Sequence, residues 1–129
     1  MTRTDLDYRM TDIFSRHGAF FAFSKEQFRE QSKAGVKYSR ISANLICPAD
    51  SADAMLGELD AAIEAFHQAD LAENGRKAII WRELANHEAQ ISMDTSDTVA
   101  ALAGYGITAE EVETEWPGCF QHCVENDLF

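Results

Sequence analysis

Apolar positions recur with a helical period over most of the chain, and only one short stretch has a different texture. From Thr4 to Arg16, Leu6, Met10, Ile13 and Phe14 fall on one side of a 3.6-residue spiral and Gly18 follows as a stop, which predicts a first helix. The run AFFAFS then packs its phenylalanines into a short segment ending at Ser24. Ser24 with Gln27 matches a capping box, so KEQFREQSK is expected to be a second, short helix. Between Gly35 and Pro48, VKYSRISANLIC is rich in β-branched and aromatic residues and lacks a helical stripe. It predicts one or two strands over about residues 36–47.

Beyond Pro48, Leu56, Leu59, Ile63 and Phe66 recur at helical spacing, which predicts a long helix capped by Asp50 or Ser51 and running to about Ala72. Its opposite face carries Glu58, Asp60, Glu64 and Asp70, and Asn74-Gly75 stops it. The next helix starts near Arg76 and buries Ile79, Ile80, Trp81 and Leu84. Joined by the ENG turn, the two helices form a hairpin over about residues 51–90, with Leu59, Ile63, Phe66, Ile80 and Leu84 expected in one core. Arg76 and Lys77 oppose the helix dipole in the first turn, so Glu73 or Asp70 is expected to hold them. DTSDTVAALAGYG reads as a short helix ended by Gly104. Thr108 with Glu111 forms a capping box opening AEEVETEW, which Pro117-Gly118 is expected to end, leaving a turn or two of helix in CFQHCVENDLF. The expected class is α+β, mainly helical, in a single compact domain over residues 1–129. That domain comprises the hairpin, the small β element and short C-terminal helices.

Composition agrees with a folded chain: 129 residues, 46% apolar and 26% charged, are enough for one hydrophobic core. No stretch approaches the roughly 20 apolar residues of a membrane span, and MTRTDLDYRM has no apolar centre suited to a secretion signal, so the cytoplasm is expected. Cys47, Cys119 and Cys123 are an odd count without a disulfide pattern, as in a reducing compartment.

Charge changes the picture most. Residues 1–40 hold eight Lys/Arg against five Asp/Glu, whereas residues 41–129 hold three against seventeen, for a net charge of -11. No basic residue follows Arg82. Such a field repels nucleic acid phosphates and anionic membranes and attracts basic protein surfaces, so direct nucleic acid or membrane binding is disfavoured. The expected partner is a basic protein, and the candidate contacts are Asp94, Asp97, Glu110, Glu111, Glu113 and Glu115.

Two groups carry candidate chemistry. Glu83, Asn86, His87 and Glu88 sit at the end of a helix, with Glu83 and His87 one turn apart on one face. Zinc peptidase chemistry needs a second histidine four residues after the first, and His87-Glu88 is followed by Ala89, Gln90 and Ile91. A polar cluster closing the helix is therefore the stronger reading. Cys119, His122 and Cys123 share a face if the tail is helical, and His67 or His87 would be a fourth zinc ligand. That group has no paired mate, and buried cysteine commonly acts as a small hydrophobe. Glycine-rich phosphate loops and nucleophile elbows are missing from the sequence. The expectation is a protein without catalytic residues, metal or cofactor. The alternative is a small metal- or histidine-dependent enzyme using Glu83, His87, Glu88 and Cys119/His122/Cys123.

The segment AENGRKAIIWRELANHEAQISMDTSDTVAALAGYGITAEEV, with the long helix before it, resembles small uncharacterised proteins of bacteriophages and related mobile elements. In these an ENG turn, a helix ending in Asn-His-Glu and an ALxxYGIT segment recur in this order; the similarity spans about residues 45–113. The resemblance implies a phage-type context in a bacterial host rather than an activity. In size and charge the chain is similar to inhibitors that phages direct against nucleic-acid-based defences, including anti-CRISPR and anti-restriction proteins. By that analogy it would bind and inhibit a basic, nucleic-acid-binding host protein, with mimicry of nucleic acid as one route.

Overall fold

The first helix is opened by a cap that the hydrophobic pattern does not reveal. Thr2 accepts from the Asp5 amide while the Asp5 carboxylate accepts from the Thr2 amide, a reciprocal capping box. From there α1 (Arg3–Arg16) buries Leu6 and Ile13, with Met10 and Phe14 half-buried, and Gly18 reverses the chain with φ +72°. The computed structural model describes residues 1–129, whose contacts cluster in two units, residues 1–66 and 67–129, each with its own buried cluster.

In the first unit, β1 (Phe20–Phe21), β2 (Tyr38–Arg40) and β3 (Leu45–Pro48) form an antiparallel sheet in the order β1-β3-β2. The hairpin of β2 and β3 realises the predicted β element. The strand β1 lies outside it, at the centre of AFFAFS, with Phe20 opposite Ile46 and Phe21 opposite Leu45. Between β1 and β2, α2 (Lys25–Gln31) starts at Ser24, whose hydroxyl accepts from the Gln27 amide. The reciprocal bond is displaced by one residue: the Gln27 side chain accepts from the Phe23 amide.

A short 3₁₀ turn (Ala49–Ser51) precedes α3 (Ala52–Asn74), and neither Asp50 nor Ser51 makes the expected side-chain cap. The buried stripe of α3 is Met55, Leu59 and Ala62, with Ile63 and Phe66 beside it; Leu56 is 38% exposed. These side chains pack against α1 and β3 in the first unit. Ile80 and Leu84 belong to the second cluster, so the five residues expected together are divided. Alternation along α3 shows which side is apolar but not which neighbour each turn meets.

In the second unit, Gly75 turns the chain with φ +79° into α4 (Arg76–Asn86), which buries Ile79, Ile80 and Leu84. Two short helices follow, α5 (Ala89–Ser92) and α6 (Ser96–Leu102). The chain then passes through a 3₁₀ turn (Ala103–Tyr105) that ends at Gly106, not Gly104, in the left-handed conformation. Thr108 and Glu111 make the capping box that opens α7 (Ala109–Glu125). No helix is long and apolar enough to cross a membrane.

The helix α7 runs through Pro117-Gly118 instead of ending there. A proline inside a helix removes one backbone bond and crowds the preceding turn. Here that turn carries Glu113, an exposed residue. The packing side of α7 continues across the interruption as Val112, Trp116, Cys119 and Cys123, so burial of this stripe outweighs the local cost. Pro117→Ala is expected to restore the bond and raise stability by about 1–3 kcal/mol. An unchanged or lowered melting temperature for the variant would contradict that account.

Candidate functional site

The polar groups of the second unit are organised by Asp70, which lies near the end of α3, where the helix dipole disfavours a carboxylate. It is nevertheless only 5% exposed, not on the solvated face that its spacing suggested. Folding back of α4 brings Arg82 against it as a fork, with Nη1 and Nη2 donating to the two carboxylate oxygens at 3.1 and 3.0 Å. The Tyr105 hydroxyl donates at 2.6 Å and Asn74 Nδ2 at 2.7 Å. Burial is the largest influence on this carboxyl and opposes its charge. The donors Arg82, Tyr105 and Asn74, with the guanidinium charge, together outweigh it and hold the pKa at about 2. The same burial, followed by the neighbouring carboxylate, pushes Tyr105 up to about 12.

His67 stacks on Tyr105 with ring centroids 4.0 Å apart, and its Nδ1 is 3.0 Å from the Gly104 carbonyl oxygen. A Cβ at position 104 would lie 2.8 Å from His67 Cε1, so glycine is required there for close approach rather than as a helix stop.

Glu83 is the hub of the Asn-His-Glu helix end. Its Oε1 accepts from Arg82 Nε at 3.1 Å and from Asn86 Nδ2 at 3.4 Å, while Oε2 lies 3.6 Å from His87 Nε2. The expected contact of Glu83 with His87 is therefore present, inside a cluster that closes α4. Glu88 does not join it. Its backbone is left-handed (φ 52°, ψ 39°), as is that of Met93 (φ 60°, ψ 22°), so the chain reverses on either side of α5.

Cys119, His122 and Cys123 do not converge as a ligand set. The two cysteines are buried, whereas the His122 ring packs against Trp81 at 5.5 Å and its Nδ1 lies 3.2 Å from Asn126 Nδ2. Burial, then the adjacent Cys123, pushes the Cys119 thiol up to about 11, away from the thiolate that metal binding or nucleophilic attack requires. No group of three His, Cys, Asp or Glu side chains is placed to hold a metal ion.

The acidic residues of α6 and α7 divide by geometry. Glu111 is held by Arg76, whose Nη2 donates at 2.8 and 2.6 Å and also reaches the Gly106 carbonyl oxygen at 2.9 Å. Arg76 thus finds its partner on α7, not in Glu73 or Asp70, because the packing of α4 against α7 sets its neighbours. Lys77 lies over the Trp81 ring, 5.2 Å from its centroid. The Trp81 indole N–H donates to Glu115 at 3.0 Å, Thr95 Oγ1 donates to Glu113 at 2.7 Å, and Asp94 accepts from the Ser96 amide and hydroxyl. Asp94, Asp97, Glu110 and Glu113 are exposed; Glu111 and Glu115 are half-buried.

The profile of a protein family of unknown function, DUF7659, matches residues 2–121. The chain belongs to DUF7659. No curated protein and no solved structure matches this DUF7659 chain.

Tyr105 and Trp81 are the site residues missed from sequence. Both carry a polar handle on an aromatic body that seeks a partner when buried, a signal that says a partner exists without saying which.

Two outcomes test this geometry. Asp70 titrates below its ordinary value, so its contribution is present above about pH 4 and lost as pH falls toward 2. Tyr105 titrates above its ordinary value, so its contribution is present below about pH 10 and lost as pH rises through 12. Asp70→Asn should flatten the acid limb of a stability-versus-pH curve and Tyr105→Phe the alkaline limb, each by about 2 kcal/mol. Limbs unchanged from those of the unsubstituted protein would refute the network.

For the left-handed turn, Glu88→Gly should lie within about 1 kcal/mol of the parent in denaturant melts, whereas the β-branched Glu88→Val should cost about 1–2 kcal/mol more. Equal effects would mean that the conformation at 88 carries no cost.

Proposed function

We propose that this DUF7659 protein is a non-catalytic, phage-type accessory protein that acts in the cytoplasm of a bacterial host. There it binds and inhibits a basic, nucleic-acid-binding host protein, in the manner of anti-CRISPR or anti-restriction inhibitors. One observation carries the reading: in residues 67–129, three basic side chains face twelve acidic ones, and all three are engaged by groups of the same unit. Arg82 is spent on Asp70 and Glu83, Arg76 on Glu111, and Lys77 lies on Trp81. Among the candidate contacts, Asp94, Asp97, Glu110 and Glu113 are exposed and carry the outward field, whereas the half-buried Glu111 and Glu115 are held by Arg76 and Trp81.

A surface of this sign attracts the kind of groove that otherwise accepts phosphates, and repels nucleic acid itself. Hydrogen bonds to Asp94 from Ser96 and to Glu113 from Thr95 orient these carboxylates without neutralising them.

The test is affinity capture from bacterial lysate, comparing the wild type with Asp97→Lys/Glu110→Lys/Glu113→Lys. This variant spares Glu111, whose loss would break the Arg76 pair and the α7 cap. The wild type should retain a basic nucleic-acid-binding protein near 0.1 M salt and lose it near 1 M, where the screening length shrinks from about 10 to about 3 Å. The folded variant should lose it at both. Equal capture by wild type and variant would overturn the proposal.

A further inference from the structure

The first unit holds a groove whose chemistry is opposite to that of the acidic second unit. It lies between the β1–α2 connection and the hairpin of β2 and β3, has a volume of about 440 Å³, and is lined by Phe28, Tyr38, Ser39, Asn44 and the cations Lys25 and Arg40, among others. That volume falls within the roughly 300–1,000 Å³ of small-molecule sites. No Asp or Glu lines it, in a chain of net charge -11. The ion pairs of the fold involve Arg3, Arg16, His17, Arg76, Arg82 and His87. Lys25 and Arg40 are thus exposed cations without a carboxylate partner.

The aromatic wall is fixed in advance. Phe20 and Phe28 pack edge-on to Tyr38 at 5.5 and 5.7 Å, and the Lys33 amide donates to the Tyr38 hydroxyl at 2.9 Å. A ring held from several sides offers a stacking platform at little ordering cost. The side chains of Ser39 and Asn44 make no hydrogen bond within the fold; Asn44 uses only its backbone oxygen, which accepts from Ala22. They supply donors and acceptors at the edge of whatever lies on the aromatic wall.

We propose that this groove binds a mononucleotide, with the base against Tyr38 and Phe28, its polar edge read by Ser39 and Asn44, and the dianionic phosphate held by Lys25 and Arg40. Two cations with no opposing acid suit a dianion better than a single carboxylate. A nucleic acid strand is disfavoured because its many phosphates would meet the long-range field of the whole chain, whereas one phosphate meets mainly the charges within a screening length of about 8–10 Å. The site is independent of the acidic surface assigned above.

Calorimetric titration of the full chain with each of the four common ribonucleoside monophosphates tests the proposal, with the matching nucleosides and inorganic phosphate as separate arms. At least one monophosphate should bind saturably at one per chain, and its nucleoside and phosphate alone should each bind at least about tenfold more weakly. Lys25→Ala/Arg40→Ala, at exposed positions, should melt like the wild type and lose affinity by about tenfold or more, while Asp97→Lys should leave binding unchanged. The proposal is overturned if no monophosphate saturates in the millimolar range, if nucleoside or phosphate alone binds equally well, or if the double variant retains full affinity.

Discussion

A carboxylate taken out of water must be met by donors or it will protonate, and Asp70 is the group through which that requirement shapes the second unit. Its position near the C-terminus of α3 adds an unfavourable dipole to the cost of burial. The compensation comes from three places at once: Asn74 on the next turn of α3, Arg82 from α4 and Tyr105 from the 3₁₀ turn after α6. Removing any donor leaves a buried charge undercompensated, so the pair specifies an arrangement more than it adds net stability. The return of α4 that buries Ile79, Ile80 and Leu84 also brings Arg82 to this group, and Tyr105, which meets it, carries the stacked His67.

The same economy explains the surface. With only three basic residues against twelve acidic ones in residues 67–129, the acids that these bases do not meet have no cation of their own unit beside them. Arg82 serves Asp70 and Glu83, and Arg76 serves Glu111 and the carbonyl of Gly106. The first unit differs: Arg16 and His17 both meet Glu58, yet Lys25 and Arg40 remain beside an aromatic groove. The excess of acids therefore sets the sign of the second unit's surface, whereas in the first unit the pairing of Arg16 leaves Lys25 and Arg40 as locally uncompensated cations.

Local cost is accepted where packing repays it. Pro117 sits inside α7 because Val112, Trp116, Cys119 and Cys123 continue one packing stripe across it. Glu88 and Met93 adopt left-handed conformations around the four-residue α5, where the buried Ala89 anchors the short helix to the second core. The thiol of Cys119 acts within that core as a small apolar group, consistent with its raised pKa, and Cys123 is buried one turn further along α7.

The sequence by itself determined the mainly helical α+β class, the β2–β3 region, the capping box of α7, the apolar sides of α1 and α4, and the reach of Glu83 to His87. Each of these depends on residues close in sequence, where period, capping and turn chemistry act directly. Only the tertiary structure decided the pairing of β1 with β3, the continuation of α7 through Pro117, and the division of Leu59, Ile63 and Phe66 from Ile80 and Leu84. It likewise decided the partners of Asp70, Arg76 and Trp81, and the separation of His122 from the two cysteines. The first group is set by what neighbours in the chain permit; the second is set mainly by competition for burial and for scarce donors between residues distant in the chain, such as Arg82 with Asp70, 12 positions apart, and Arg76 with Glu111, 35 apart.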